Sequence, residues 1–320
     1  NIADDNPKQE EMPGNIHTIK LGFLPHIEHT RHLSMIDTHL IESRKFTVVI
    51  DAVNGAASLA LPAMMETLGC NVYRLHCKPN GEFPRGAEPL PHNLKNLSNA
   101  VLTHKADVGF ATDPDGDRLA VVDENGQPLG EEYTLTICAD GFLSSTSSTV
   151  SLVTNLSTTM ALDKIAEKHG SSVIRSAVGE INVVNQMKEA GALLGGEGNG
   201  GVILSESHYG RDSLVGATLF LNCMAQKNQK VSEIFKSMPQ YIMVKNKIEL
   251  GRVDPDSVMD KIENRFPNAS ISKIDGLKLL FENSWVHIRK SNTEPIIRIY
   301  AEAATKLEVD NLIYKVKSIL

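Results

Sequence analysis

The chain reads as an α/β protein: two tandem domains of alternating strands and helices, followed by a smaller α+β domain. Three observations predict this. Short β-branched apolar runs alternate with stretches of helical spacing, the pattern of a parallel sheet with crossover helices. The alternation starts afresh near Glu131, and beyond Pro239 it gives way to several strands grouped with two helices. With 320 residues, 41% of them hydrophobic, the chain is long enough for two or three cores.

Residues 1–25, rich in Pro and acidic residues, read as a linker or tail, and apolar residues recur at helical spacing from Ile27 to Ile41. Phe46–Ile50 (F-T-V-V-I) is a buried strand. The small residues of Asp51–Ser58 form a turn, and Leu59–Leu68 a helix closed by Gly69. Asn71–Leu75 is the next strand, and a helix near Leu94–His104 leads to the strand Ala106–Thr112. This order places residue 113 at the carboxyl end of a strand, where ligands of open α/β sheets gather. These elements make a first domain over residues 26–130.

The second domain, 131–238, repeats the alternation. Helices are expected at Tyr133–Leu143, Thr158–Lys168, Ile181–Glu189 and Asp212–Ala225, and strands at Thr149–Val153, Val173–Ser176, Leu193-Leu194 and Val202–Leu204. The third, 239–320, has strands at Ile242–Leu250, Leu277–Phe281, Trp285–Arg289 and Ile296–Glu302, with helices at Asp254–Arg265 and Leu307–Leu320.

Composition excludes several classes of function. A formal charge of −7 and the lack of any Lys/Arg run argue against a nucleic-acid partner. Cys70, Cys77, Cys138 and Cys223 are scattered without C-x-x-C spacing, so neither a zinc site nor a disulfide framework is indicated. No stretch approaches the roughly 18 apolar residues of a membrane span. The polar start, which opens on Asn1 rather than Met, has no signal-peptide core. No membrane partner and a cytoplasmic location are therefore expected.

Three loops carry the chemistry. Residues 113–118 read D-P-D-G-D-R between the apolar runs Ala106–Thr112 and Leu119–Val122. Two unit charges 4 Å apart repel by about 4 kcal/mol at an effective dielectric of 20, so Asp113, Asp115 and Asp117 call for a hard divalent cation among them. A solvated polar turn would not need the third carboxylate. An EF-hand is rejected, because Arg118 stands where its sharp turn needs glycine and the flanks are strands. Second, Gly196–Gly201 (G-E-G-N-G-G) formally satisfies a dinucleotide fingerprint, but a strand follows where that motif needs a helix. Bare backbone with Glu197 and Asn199 suits vicinal sugar hydroxyls, although a tight turn with an exposed Glu explains this segment alone equally well. Third, Arg289–Pro295 (R-K-S-N-T-E-P) has the groups that clasp a phosphate dianion, with an ordinary polar hairpin loop as the plain alternative.

The ordered set, metal carboxylates, then sugar loop, then phosphate clasp, resembles the α-D-phosphohexomutase family of phosphoglucomutase, phosphomannomutase and phosphoglucosamine mutase. D-P-D-G-D-R is similar to the family's metal loop, G-E-G-N-G-G to its G-E-x-S-G-H-type sugar loop, and R-K-S-N-T-E-P to its R-x-S-G-T-E-P phosphate loop. The resemblance runs from about residue 28 to the end. It implies three-layer α/β architecture for the first two domains and equates the three with the family's second, third and fourth. No T-A-S-H-N-P-like phosphoserine loop occurs in the chain, so the resemblance implies that the N-terminal phosphoserine domain is a missing partner and that the chain alone is inactive. Asn199 stands where serine is common and Gly201 where histidine is, a variation most similar to some phosphoglucosamine mutases. Asn155 and Glu180 likewise replace a frequent Lys and a frequent His or Asp.

The resemblance further implies transfer of phosphate between O1 and O6 of a hexose through a phosphoserine and a bisphosphate intermediate. Mg2+ would sit on Asp113, Asp115 and Asp117, with Arg118 as the catalytic cation. Glu197 and Asn199 would grip sugar hydroxyls, and Arg289, Ser291, Asn292 and Thr293 the phosphate that is not reacting. A non-catalytic sugar-phosphate-binding module is the alternative.

Overall fold

The computed structural model describes residues 21–249, 255–290 and 296–319. Elements follow the chain as α1 (Leu24–Arg31), α2 (Thr38–Arg44), β1 (Thr47–Asp51), α3 (Ala57–Thr67), β2 (Asn71–Leu75), α4 (Lys95–His104), β3 (Val108–Thr112) and β4 (Leu119–Asp123). Their strands form one sheet in the order β2-β1-β3-β4, parallel except for the β3–β4 hairpin. The periodic stretch Ile27–Ile41 is two helices instead of one. The chain leaves α1 at His32, and Asp37 restarts it by accepting the Leu40 amide at 2.9 Å, the bond that satisfies an otherwise unpaired N–H of the first turn.

The second unit comprises α5 (Glu132–Ser145), β5 (Ser151–Asn155), α6 (Ala161–Lys168), β6 (Ser172–Ser176), α7 (Glu180–Ala190), β7 (Leu194–Glu197), β8 (Gly201–Leu204), α8 (Ser213–Lys227) and α9 (Val231–Ser237). Its sheet, β6-β5-β7-β8, repeats the first in order and direction, again ending in an antiparallel hairpin. The β3–β4 and β7–β8 turns are thus topological equivalents. Each sheet is covered on both faces, by α4 or α7 on one side and by a core common to both units on the other. In that common core α8 is buried from Ser213 to Ala225, as a helix surrounded by protein should be. Phe110 of β3 meets Phe220 of α8 edge-on, at 5.8 Å between centroids. Helices α5 and α8 press close at Gly141, where a Cβ would lie 2.6 Å from that of Cys223. Gly141→Ala is therefore expected to lose ~1–2 kcal/mol of stability in urea unfolding, although alanine favours a helix by about 1 kcal/mol.

The third unit comprises β9 (Ile242–Glu249), α10 (Pro255–Arg265), β10 (Ser270–Ser272), β11 (Leu277–Leu280), β12 (Ser284–Lys290), β13 (Ile296–Ala303) and α11 (Lys306–Lys317). Its sheet runs β10-β11-β12-β13-β9, antiparallel throughout, over a separate core. Helix α9 and strand β10 were too short to announce themselves by periodicity. Buried polar contacts fasten this unit to the second. Lys278 Nζ donates to the Leu156 carbonyl at 2.5 Å and lies 4.0 Å from the Trp285 ring centre. His287 Nδ1 is 3.0 Å from Ser157 Oγ, and Glu302 accepts the Met160 amide at 2.8 Å. Burial pushes His287 down to about 4, so it is neutral here at physiological pH.

Candidate active site

The acidic turn closes the β3–β4 hairpin. Asp113 is fully buried, Asp117 half-buried and Asp115 exposed, yet their carboxylate oxygens lie within 4.8 Å of one another. Arg85 braces the floor beneath them. Its buried guanidinium donates to the carbonyls of Thr112 at 2.5 Å and Asp51 at 3.3 Å, tying together the carboxyl ends of β3 and β1. It also pairs with the Asp51 carboxylate at 3.0 Å.

The electrostatics of the turn are unequal. Burial opposes ionisation of Asp113, but the Arg118 amide and guanidinium outweigh it and hold the carboxyl below its ordinary range. Burial and then the neighbouring Asp113 charge push Asp117 up to about 7, against the pull of Arg211. Asp117 Oδ1 is buried without a hydrogen-bond partner among the described residues. Its nearest cation is Arg118 Nε at 3.6 Å. An all-oxygen donor set and a carboxyl raised by a like charge fit a hard divalent cation.

Arg118 is tied on two sides. Its backbone N–H donates to Asp113 Oδ1 at 3.1 Å and its Nε to the other Asp113 oxygen, while its terminal nitrogens fork onto Glu88, one of them at 3.0 Å. Glu88 gave no signal in the sequence.

The β7–β8 turn lies against the acidic one. The Leu119 amide donates to the Gly200 carbonyl at 3.0 Å, and Arg118 and Gly201 form a single antiparallel bridge. Glu197 is 5% exposed and well partnered: Oε1 accepts from Asn155 at 2.7 Å and from the Gly179 amide at 3.2 Å, and Oε2 accepts from Arg211 at 2.8 Å. Asn199 folds back so that its Oδ1 accepts the Gly201 amide at 3.1 Å. Only glycine fits at Gly198, where a Cβ would come within 1.9 Å of Glu132 Oε2.

Arg211, just ahead of α8, links the two turns, donating to Asp117 as well as Glu197 and pairing with Glu180 at 3.4 Å. Its partner Asp117 is 94 residues away, so nothing local in the sequence could identify it. Glu132 and Lys245 form a further unforeseen pair at 2.9 Å across the second and third units. Burial pushes Glu132 up to about 7 against the pull of Lys245.

Between the units lies a cleft of about 500 Å³, whose lining includes Arg118, Glu197, Asn199, Arg211, Lys245 and Arg289. Arg118 from the acidic loop, Glu197 and Asn199 from the glycine-rich loop and Arg289 from the third therefore face one space, while Asp113, Asp115 and Asp117 are not part of its lining. Arg289 lies on β12, and its Nε is buried with no hydrogen-bond acceptor among the described residues. Ser291, Asn292 and Thr293 lie outside the described residues.

Comparison with known proteins follows this geometry. Residues 24–126, 130–241 and 228–317 match the models of phosphoglucomutase/phosphomannomutase alpha/beta/alpha domain II, alpha/beta/alpha domain III and C-terminal domain, respectively. The chain is 35% identical over 285 residues to a phosphoglucomutase/phosphomannomutase of Thermococcus kodakarensis, covering 88% of this chain and 62% of that protein. It is 30% identical over 293 residues to a phosphoglucosamine/phosphogalactosamine mutase of Sulfurisphaera tokodaii, covering 90% and 64%. A crystal structure of a phosphoglucomutase/phosphomannomutase family protein from Burkholderia thailandensis superposes with a TM-score of 0.77 at 25% identity, over 88% of this chain and 63% of that one. The chain thus spans a little over three fifths of the curated relatives it matches.

Proposed function

The chain belongs to the phosphoglucomutase/phosphomannomutase family, and on that premise we propose that it is the metal-, sugar- and phosphate-binding portion of a magnesium-dependent phosphohexomutase. Its units would be a metal-loop domain over 26–130, a sugar-loop domain over 131–238 and a phosphate-loop domain over 239–320. The observation that carries this reading is the cleft that gathers Arg118, Glu197, Asn199 and Arg289, the last with a buried Nε that meets no acceptor among the described residues. A buried guanidinium N–H without an acceptor is costly, and a phosphate oxygen satisfies it.

In the complete enzyme a phosphoserine, supplied by a domain outside these 320 residues, gives its phosphoryl group to one hexose oxygen. The resulting bisphosphate turns end for end and returns the other phosphoryl group to the serine, so that phosphate has moved between O1 and O6. Mg2+ held by Asp113, Asp115 and Asp117 would draw charge from the phosphoserine oxygens. Arg118, oriented by Asp113 and Glu88, presents cationic N–H groups to the transferring phosphoryl oxygens. Glu197, fixed by Asn155 and Arg211, and Asn199 hold two vicinal hydroxyls whose places exchange when the sugar turns. Arg289, with Ser291, Asn292 and Thr293, holds the phosphate at the idle end, and that grip orients the reacting end.

A thermal-shift panel of glucose, mannose and glucosamine phosphates, with and without Mg2+, tests the reading. At least one hexose phosphate is expected to raise Tm, and more so with the ion. Asn199→Ser should re-rank the hexoses while changing their mean affinity less than tenfold, on the order of 1 kcal/mol. Conversion of glucose 1-phosphate to the 6-phosphate by this chain alone would contradict the assignment of the phosphoserine to another domain. The absence of any Tm response to the panel would remove the binding reading itself.

A further inference from the structure

A second set of metal-type donors lies behind the acidic turn. His26 of α1 and His208, in the loop after β8, both aim Nε2 at one oxygen, Asp212 Oδ2, at 2.6 and 2.9 Å. The two rings are 5.7 Å apart between centroids and tilted by 55°, so they approach that oxygen from different sides. All three donor atoms lie within 4.8 Å of one another. The carboxylate is held from behind: Oδ1 accepts the amides of Leu214 at 2.8 Å and Val215 at 3.2 Å, which fixes its plane and leaves Oδ2 to the imidazoles. His26 and His208 remain 33% and 46% exposed, which leaves an approach for an ion and its water.

We propose that His26, His208 and Asp212 form a second cation site, for Zn2+ or a similar borderline divalent ion. Two imidazoles, one carboxylate and a water are a four-coordinate zinc set, with bonds of roughly 2.0–2.2 Å. Four-coordinate bonds of that length set donor atoms roughly 3.3 Å apart, so the present separations of 2.6 and 2.9 Å must open by about 0.4–0.7 Å to seat such an ion. Mg2+ and Ca2+ prefer oxygen, so the two sites differ in the ions they select. The outer-shell support that metal ligands need is already present in the Leu214 and Val215 amides. The ion would staple α1, in the first unit, to the head of α8, in the second. The residues on either side of Asp212 hold the acidic turn: Arg211 reaches Asp117, and Ser213 donates to the Gly116 carbonyl at 2.6 Å. Filling this site would therefore stiffen the neighbouring one.

The 320-residue chain, stripped with chelator and kept in excess Mg2+ to occupy the acidic turn, is titrated with Co2+ as an optical probe. The expected result is one equivalent bound, with the strong visible absorption of four-coordinate Co2+, and a rise in Tm when Zn2+ replaces it. His26→Asn and His208→Asn should each weaken Co2+ by more than the roughly 10–100-fold that loss of an outer-shell partner costs. Asn can still bond to Asp212, and Tm in chelator shows whether each variant folds. A Asp113→Asn/Asp115→Asn double variant should keep the absorption. The proposal is overturned if the unaltered chain gives no four-coordinate signal. It is equally overturned if that signal survives His208→Asn and vanishes in the double variant, which would place the ion in the acidic turn.

Discussion

In chelator, Asp117→Asn is expected to gain stability relative to the unaltered chain as pH rises from about 4 to 7, and Mg2+ is expected to reverse the order. The sign follows from linkage. Asp117 in the folded chain titrates near 7, above its ordinary 3.8, so between those values the folded state holds a proton that the unfolded state has lost. Stability that this proton supplies is present below about pH 4 and gone once pH passes 7. The difference between the two chains should change by ~1–2 kcal/mol over that window, less than the full 1.4 kcal/mol per pH unit because solvent screens the half-buried carboxyl and Arg211 pairs with it. Mg2+ needs the carboxylate ionised, so its affinity should rise with pH up to about 7, and loss of this ligand should cost on the order of 100-fold. Urea midpoints read at several pH values, with and without the ion, decide the matter. A flat difference between the two chains would show that Asp117 ionises like a surface carboxylate.

Arg289→Ala is expected to weaken every hexose phosphate alike, by ~2–4 kcal/mol or roughly 30- to 1000-fold in Kd. The buried Nε makes the case, because among the described residues this donor meets no acceptor. Titration calorimetry with glucose, mannose and glucosamine phosphates tests both the size and the uniformity. A loss confined to one sugar would move Arg289 from the phosphate to the ring, and no loss at all would leave the cleft without its anion clamp.

The residues most legible in the sequence were those whose chemistry is local. D-P-D-G-D-R carries its repulsion, its turn formers and its flanking strands in one continuous stretch, and the structure gathers the three carboxylates as that stretch implied. The alternation of strands and helices was equally plain, because burial on both faces of each sheet leaves uninterrupted apolar runs such as Val48–Ile50 and Val108–Ala111. Hidden were the residues whose importance depends on distant partners. Arg211 reads as one more cation after a turn until the fold brings it between Asp117 and Glu197. Glu88 clamps Arg118 across 30 residues, and Lys245 reaches Glu132 across 113. Asp212, read only as the start of a helix, caps α8 with one oxygen and receives two histidines with the other. No periodicity records such meetings.

The seam between the two hairpins makes the acidic turn and the glycine-rich turn one thermodynamic object. Leu119 and Gly200 share a backbone bond, and one guanidinium serves a carboxylate in each turn. On the proposed function, an ion that drew Asp117 toward itself would loosen Arg211 from that side and leave it to Glu197, so the grip on a sugar would change with ion occupancy. Reciprocity then fixes a quantitative relation: whatever factor the ion confers on hexose phosphate affinity, the hexose phosphate must confer on the ion.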